Sequence, residues 1–151
     1  MNEIRKRLFD RFIGYVKTYS QSDSEKADQG IMPSTPQQAE MAKILNAELK
    51  ELGLREVQTT EHCYTYGYLP ANDGSDRNIC LLAHIDTVDE VSGLNVNPQV
   101  SEEDGDTIIR TDGNTLLGAD DKAGVAEIMT ALEYFVRHPE AAHCGIEVIF
   151  S

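Results

Sequence analysis

The chain has 151 residues and carries 26 acidic side chains against 13 lysines and arginines, for a formal net charge of −13. This length suits one domain, and a hydrophobic share of 40% is too high for a disordered chain. The acidic balance argues against partners that present phosphates, which excludes duplex nucleic acid and an anionic membrane surface.

The N-terminal third predicts two amphipathic helices. The charged N-terminus lacks the apolar core of a signal peptide, and apolar residues recur at helical spacing over residues 2–18. A polar stretch with glycine and proline predicts a loop over 20–34. The second helix is expected to begin at Thr35, which would form a T-x-x-Q capping box with Gln38, and to end at Gly53.

The remainder alternates between strand-like and helical patterns, which indicates a layered α/β fold. Five short strands are predicted, over residues 55–60, 63–69, 79–83, 107–110 and 145–150. Helical spacing returns over 122–137. The strand at 145–150 has a central character, and the chain stops directly after it at Ser151. We therefore expect an incomplete domain.

The apolar run ICLLA at 79–83 is typical of a strand buried on both faces, so Cys80 is expected in the core. The cysteines are three in number and form no CxxC, so neither a disulfide framework nor a cysteine zinc site is indicated. A reducing cytoplasm is the simplest compartment for such a chain, which also has no apolar run of the roughly 20 residues that a membrane span needs.

His84 and Asp86 come directly after this apolar strand. Residues two apart on a strand face the same side, so the two side chains project together from its carboxyl end. Ligands of α/β sheets bind at that edge, and an imidazole that binds a metal commonly donates its second N–H to a carboxylate. The alternative is a surface histidine next to an aspartate that forms a turn.

A second group of polar residues precedes the helix at 122–137. Asp120 and Asp121 fall at its N-terminus in a glycine-rich segment, TDGNTLLGADDKAG. One acid is enough to cap a helix, and a carboxylate with two oxygens can bridge two cations. The choice between a helix cap and a metal ligand stays open on this segment alone.

Other polar residues point less clearly to chemistry. Lys122 needs no catalytic role, because it could pair with a neighbouring acid. The segment 102–104 is interpreted as a solvated acidic turn, and His62, His138 and His143 as ordinary surface histidines.

Taken in order, LLAHIDTV and TDGNTLLGADDKAGVAEIMTAL resemble peptidase T, a family of tripeptide aminopeptidases within the two-zinc exopeptidases that include carboxypeptidase G. The resemblance runs over nearly the whole chain. It implies a catalytic domain with a mixed β-sheet flanked by helices, incomplete at its C-terminus, so that residues 1–151 are its N-terminal part. A lid or dimerisation domain would lie outside this chain.

The resemblance also implies roles for single residues. His84 looks like a ligand of one zinc ion, Asp86 like the partner that orients His84, and Asp120 like the carboxylate that bridges both zinc ions. Asp121 would be a neighbour rather than a ligand, and the peptide bond between Asp120 and Asp121 would be cis. The general-base glutamate and the remaining ligands would lie beyond Ser151.

The function implied is zinc-dependent release of the N-terminal residue from short peptides, mainly tripeptides, with a homodimer possible for the full-length protein. The chain alone is expected to be inactive and to bind zinc weakly. The segment between Pro98 and Thr111 is shorter than is typical of peptidase T, which leaves substrate preference open. The alternatives are a related amidohydrolase, such as a dipeptidase or an N-acyl amino acid deacylase, and a non-catalytic binding half-domain.

Overall fold

The computed structural model describes residues 2–151, and Met1 lies outside the described part. These residues form four helices and six strands. They are α1 (Glu3–Lys17), α2 (Ser24–Asp28), α3 (Gln37–Glu51), β1 (Arg55–Thr59), β2 (Thr65–Leu69), β3 (Asn78–Ala83), β4 (Gln99–Glu103), β5 (Asp106–Arg110), α4 (Ala119–Arg137) and β6 (Gly145–Phe150).

Four of the strands form a mixed sheet in the order β1-β2-β6-β3. Strand β6 pairs antiparallel with β2 and parallel with β3, so it is central, as its composition predicts. Strands β4 and β5 form a separate antiparallel hairpin. The α/β class with a mixed sheet and helices is therefore confirmed.

The core lies between the sheet and the three long helices. Helix α3 packs against β1 and β2, α4 packs against β3, and α1 packs against α4. Val148 and Phe150 on β6 are fully buried beneath these helices, with Leu45 and Leu49 of α3. Among residues 2–151, no helix has the length and apolarity needed to cross a membrane.

The prediction that 79–83 is buried on both faces is wrong. Among the described residues, strand β3 lies at one edge of the sheet, and the helices cover only the face that carries Leu81 and Ala83. Alternation places Cys80 and Leu82 on the opposite face, where Leu82 is 63% exposed and Cys80 is also exposed. An apolar run therefore indicates a strand buried on both faces only where other elements pack against each of these faces.

Two local predictions near the second helix are also wrong. Helix α3 starts at Gln37 after Pro36, and no side chain caps it, because the Thr35 hydroxyl donates instead to the Gln21 carbonyl at 2.6 Å. The expected loop at 20–34 contains the short helix α2, capped by Asp23. By contrast, Gly53 follows the end of α3 with φ +81°, as predicted.

The acidic turn predicted at 102–104 is mostly strand. Glu102 and Glu103 lie on β4, which the strand predictions omitted, and only Asp104 belongs to the turn before β5. Its partner β5 matches the predicted strand within one residue. The five exposed residues of β4 lack the apolar alternation that would have identified it.

A buried ion cluster joins α1 to α4. The carboxylate of Glu133, whose side chain is 5% exposed, contacts guanidinium groups of Arg7 and Arg11 at 2.7 Å and of Arg137 at 2.8 Å. Arg11 also reaches Glu48 on α3 at 3.2 Å. Arg11 on α1 is therefore linked to α4 through Glu133 and to α3 through Glu48.

Candidate metal site at the ends of β3 and α4

His84 and Asp86 lie together directly after β3, as the sequence predicts. The imidazole Nδ1 is 3.1 Å from Asp86 Oδ1 and 3.2 Å from the Asp86 carbonyl. Both of these oxygens are acceptors, so in the neutral ring the proton belongs on Nδ1. The lone pair of Nε2 then faces away from Asp86, which is the tautomer that a metal-binding imidazole needs.

Asp120 meets the other side of the same imidazole. Its Oδ1 lies 3.0 Å from His84 Nε2, although the two residues are 36 positions apart in the chain. The Asp120 carboxylate is 96% exposed apart from this contact. The structure therefore brings together the three residues that the sequence motifs singled out.

Two carboxylates around one imidazole favour its charged form. Burial lowers the pKa of His84, but the hydrogen bond to Asp120 and the charge of Asp86 outweigh it, so this pKa lies above the ordinary value. The gap between Nε2 and Oδ1 thus attracts positive charge. A metal ion can take the place of a proton at this position, because both atoms are electron-pair donors that zinc accepts.

The backbone of the turn before α4 departs from helical geometry at both acids. Asp120 has φ −92° and ψ 105°, and Asp121 has φ −118° and ψ 28°, inside a segment that continues as α4. The peptide bond between them is cis, which confirms the geometry that the resemblance implies.

Two glycines make room for this turn. A side chain at Gly118, which has φ +77°, would lie 3.0 Å from the methyl group of Thr87. A Cβ at Gly124 would overlap the Asp121 carboxylate, with Cγ only 3.0 Å away. The Asp121 side chain therefore folds back over Gly124.

Lys122 is a buried cation that the sequence did not identify. It is 2% exposed, and its Nζ donates to the Thr18 carbonyl at 2.6 Å. Burial lowers the pKa of Lys122 to about 8, against the opposing attraction of Asp86. Its hydrogen-bond partner Thr18 lies 104 positions earlier in the chain, so no local pattern could have revealed this contact.

These donors fit part of a metal site. An imidazole nitrogen and a carboxylate oxygen are ligands that zinc prefers, whereas protein zinc sites normally have at least three protein ligands. Within residues 2–151, no group of three or more histidine, cysteine, aspartate or glutamate side chains is placed to hold a metal ion. The described residues therefore supply two candidate ligands, His84 and Asp120.

The other histidines make separate contacts. His62 Nδ1 lies 3.2 Å from the Met32 carbonyl, His138 Nδ1 lies 2.9 Å from Glu140, and His143 Nδ1 lies 2.8 Å from the Cys144 carbonyl. His62 does border a cavity of about 410 Å³ that His84 also lines. This cavity opens beside His84 and Asp86 and offers space for a small ligand.

The chain matches no protein-family model. It is 41% identical over 178 aligned residues to peptidase T of Geobacillus thermodenitrificans, an alignment that covers 98% of this chain and 42% of that protein. Peptidase T of Listeria innocua is 40% identical over the same shares of the two chains. The chain thus spans about two-fifths of the length of the curated relatives it matches.

Among solved structures, the chain resembles the aminopeptidase PepT from Bacillus cereus, with a TM-score of 0.75 and 28% identity over 97% of this chain and 36% of that one. Like the sequence matches, this similarity runs over nearly all of the 151 residues. It therefore includes both of the segments that form the candidate site.

Proposed function

Because this chain belongs to the peptidase T family, we propose that it is part of a zinc-dependent aminopeptidase that releases the N-terminal residue from short peptides, mainly tripeptides. The contact of 3.0 Å between His84 Nε2 and Asp120 Oδ1 carries this proposal. It joins the two motifs of the resemblance in a chain 41% identical to a peptidase T.

His84 is proposed as a ligand of one zinc ion through Nε2, and Asp120 as the carboxylate that bridges two. When bound, the two ions lower the pKa of a water molecule and polarise the scissile carbonyl. The part of this chain is to hold the donors in place. Asp86 keeps the proton of the imidazole on Nδ1, and the second oxygen of Asp120 stays free for another cation.

Residues 1–151 are proposed as the N-terminal part of the catalytic domain, without a lid or dimerisation domain. Two features support this: the 42% coverage of the relative and the presence of only two candidate ligands within the described residues. The remaining ligands and the general-base glutamate would then lie outside these residues. The 151-residue chain is accordingly expected to be inactive by itself.

The cellular compartment and the partners proposed for the enzyme follow from the composition of this chain. A charge of −13 and three free cysteines support a cytoplasmic protein whose partners are short peptides rather than nucleic acid or membrane. A homodimer is proposed for the full-length protein.

The test is a hydrolysis assay on the complete coding frame that contains these residues, supplied with zinc. The substrates are a tripeptide, a dipeptide and an N-acyl amino acid, and we expect the tripeptide to be turned over fastest. His84→Ala should abolish most of this activity. His138→Ala, which removes an exposed histidine paired with Glu140, is the matched control and should retain it.

Faster turnover of the dipeptide or the acyl amino acid would favour the related amidohydrolases. Absence of any hydrolysis, with peptide binding retained, would favour a non-catalytic binding module. Full activity of the His84 variant would exclude the proposed site.

A further inference from the structure

Residues 18–22, which we call the linking segment, connect the end of α1 to the loop before α2. This segment runs between the two motifs that form the candidate site and makes hydrogen bonds to both. Two further hydrogen bonds fix Gln21 within this segment. The Thr35 hydroxyl donates to the Gln21 carbonyl at 2.6 Å, and the Gly93 N–H donates to Gln21 Oε1 at 3.0 Å.

On one side, the linking segment lies parallel to the residues that follow β3. The Ser20 hydroxyl donates to the Ile85 carbonyl at 2.7 Å, and Ser20 is 1% exposed. Ser22 donates to the Thr87 carbonyl through both its backbone N–H and its hydroxyl, each at 2.9 Å. These bonds hold the carbonyls immediately before and after Asp86.

On the other side, the linking segment holds the turn that carries Asp120. The Thr18 carbonyl accepts the hydrogen bond from Lys122 Nζ at 2.6 Å, and Lys122 is 2% exposed. Lys122 follows the two acids of the turn directly in sequence. The Thr18 carbonyl and the Ser20 hydroxyl are two residues apart, so one short piece of backbone contacts both halves of the site.

We propose that the linking segment sets the separation of His84 and Asp120, and that Ser20 and Lys122 are positioning residues for the metal site. This inference rests on the proposed function. The direct contact between the two candidate ligands involves a carboxylate that is 96% exposed. Buried hydrogen bonds constrain a site more strongly than such a contact, and metal sites need donors held to about 0.5 Å.

A matched pair of variants separates a loss of positioning at the site from a general loss of folding stability. Ser20→Ala removes a buried hydroxyl that donates to a backbone carbonyl next to the site. Thr65→Val removes a buried hydroxyl that donates to the Ala42 carbonyl at 3.3 Å, in the core between β2 and α3. Lys122→Met tests the other side of the linking segment, and Lys122→Arg restores a cationic donor there.

Two measurements on the 151-residue chain are made by NMR. The first, without metal, is the nuclear Overhauser effect between the His84 ring proton Hε1 and the β protons of Asp120. The second is a zinc titration. In Ser20→Ala and in Lys122→Met we expect loss of the Overhauser effect and about 10–100-fold weaker zinc binding. Thr65→Val should keep both, and Lys122→Arg should recover part of the affinity.

The proposal is overturned if both positioning variants stay folded with an unchanged Overhauser effect and zinc affinity. It is equally overturned if Thr65→Val loses them to the same degree, because a general loss of stability then accounts for the effect. If Ser20→Ala does not fold, Ser20→Cys takes its place. His84→Ala tests the proposed metal site separately, because unchanged zinc binding in that variant would reject it. The Overhauser effect, measured without metal in Ser20→Ala and Lys122→Met, tests the positioning independently.

Discussion

Gly124 lies beneath the Asp121 carboxylate, which an added Cβ would overlap. We expect Gly124→Ala to displace the Asp121 side chain, which offsets most of the roughly 0.5–1 kcal/mol that alanine otherwise gains over glycine inside a helix. Urea denaturation would measure the change in the free energy of unfolding. The matched control is Gly14→Ala on α1, where an added Cβ meets nothing within 4 Å.

That control should stabilise the chain by about 0.5–1 kcal/mol, because alanine loses less backbone entropy in a helix than glycine. Equal effects of the two alanine variants would show that the crowding at Gly124 is not significant in solution.

His84 and Asp86 should differ in how much zinc binding they support. His84→Ala removes a proposed ligand and should abolish binding at this site. Asp86→Ala removes only the group that orients the imidazole, so we expect a loss of about 10–100-fold in affinity. Elemental analysis and calorimetric titration of the complete protein that contains these residues measure both, with circular dichroism to confirm the fold. Full zinc occupancy in the His84 variant would rule out the assignment.

The sequence could identify His84, Asp86 and Asp120 because each stands in a short motif whose chemistry is local. It could not identify Lys122 or Ser20. Their importance arises from hydrogen bonds to residues 65 to 104 positions away, which no spacing rule reports.

Glu133 on α4 holds α1 through Arg7 and Arg11, and it also pairs with Arg137 on its own helix. Glu133→Ala leaves these cations without their shared partner, so we expect a loss of about 3 kcal/mol, near the lower end of the range for buried ion pairs because Arg7 and Arg137 retain contact with water. Thermal or urea denaturation measures the loss. Asp10→Ala, which removes the exposed partner of Lys6, should cost no more than about 0.5 kcal/mol.

The β4–β5 hairpin carries a pH-dependent contact. Arg110 on β5 donates to Glu103 on β4, with one bond of 3.0 Å, and lowers the pKa of Glu103 to about 2. A carboxyl group with a depressed pKa contributes stability above its unfolded pKa. That contribution is lost as the pH falls from about 4.3 towards 2.

A carboxyl carbon NMR titration should therefore find the Glu103 midpoint near 2 in the wild-type chain. In Arg110→Ala we expect the midpoint to rise towards the ordinary value of about 4.3 and to stay below it, because the Ser101 hydroxyl still donates to Glu103. An ordinary midpoint in the wild-type chain would mean that the hairpin ion pair does not form in solution.

At the scale of helices and strands, the sequence predicts where each element lies better than it predicts what packs against it. Periodicity located α1, α3, α4 and β6 because each buries one face against the core. It misjudged β3, which was predicted to be buried on both faces. Within the described residues, no helix or strand packs on the face that carries Cys80 and Leu82, so both side chains are exposed. It also missed the role of Thr35, whose hydroxyl serves the linking segment instead of the helix.

At the scale of the whole molecule, the sheet order β1-β2-β6-β3 explains how the site forms. The parallel pairing of β3 with β6 aligns their carboxyl ends, and the Ile85 N–H donates to the Ser151 carbonyl at 2.7 Å. The residues after β3 are thereby held at the sheet edge where ligands bind in α/β folds. Helix α4 then brings Asp120 to the same edge from the helical layer.

The most direct test of the site is anomalous diffraction at the zinc absorption edge from a crystal of this chain soaked in zinc. We expect the strongest peak about 2.0–2.2 Å from both His84 Nε2 and the Asp120 carboxylate. A peak at His62, or between His138 and Glu140, with none at His84, would show that these two motifs do not form the metal site.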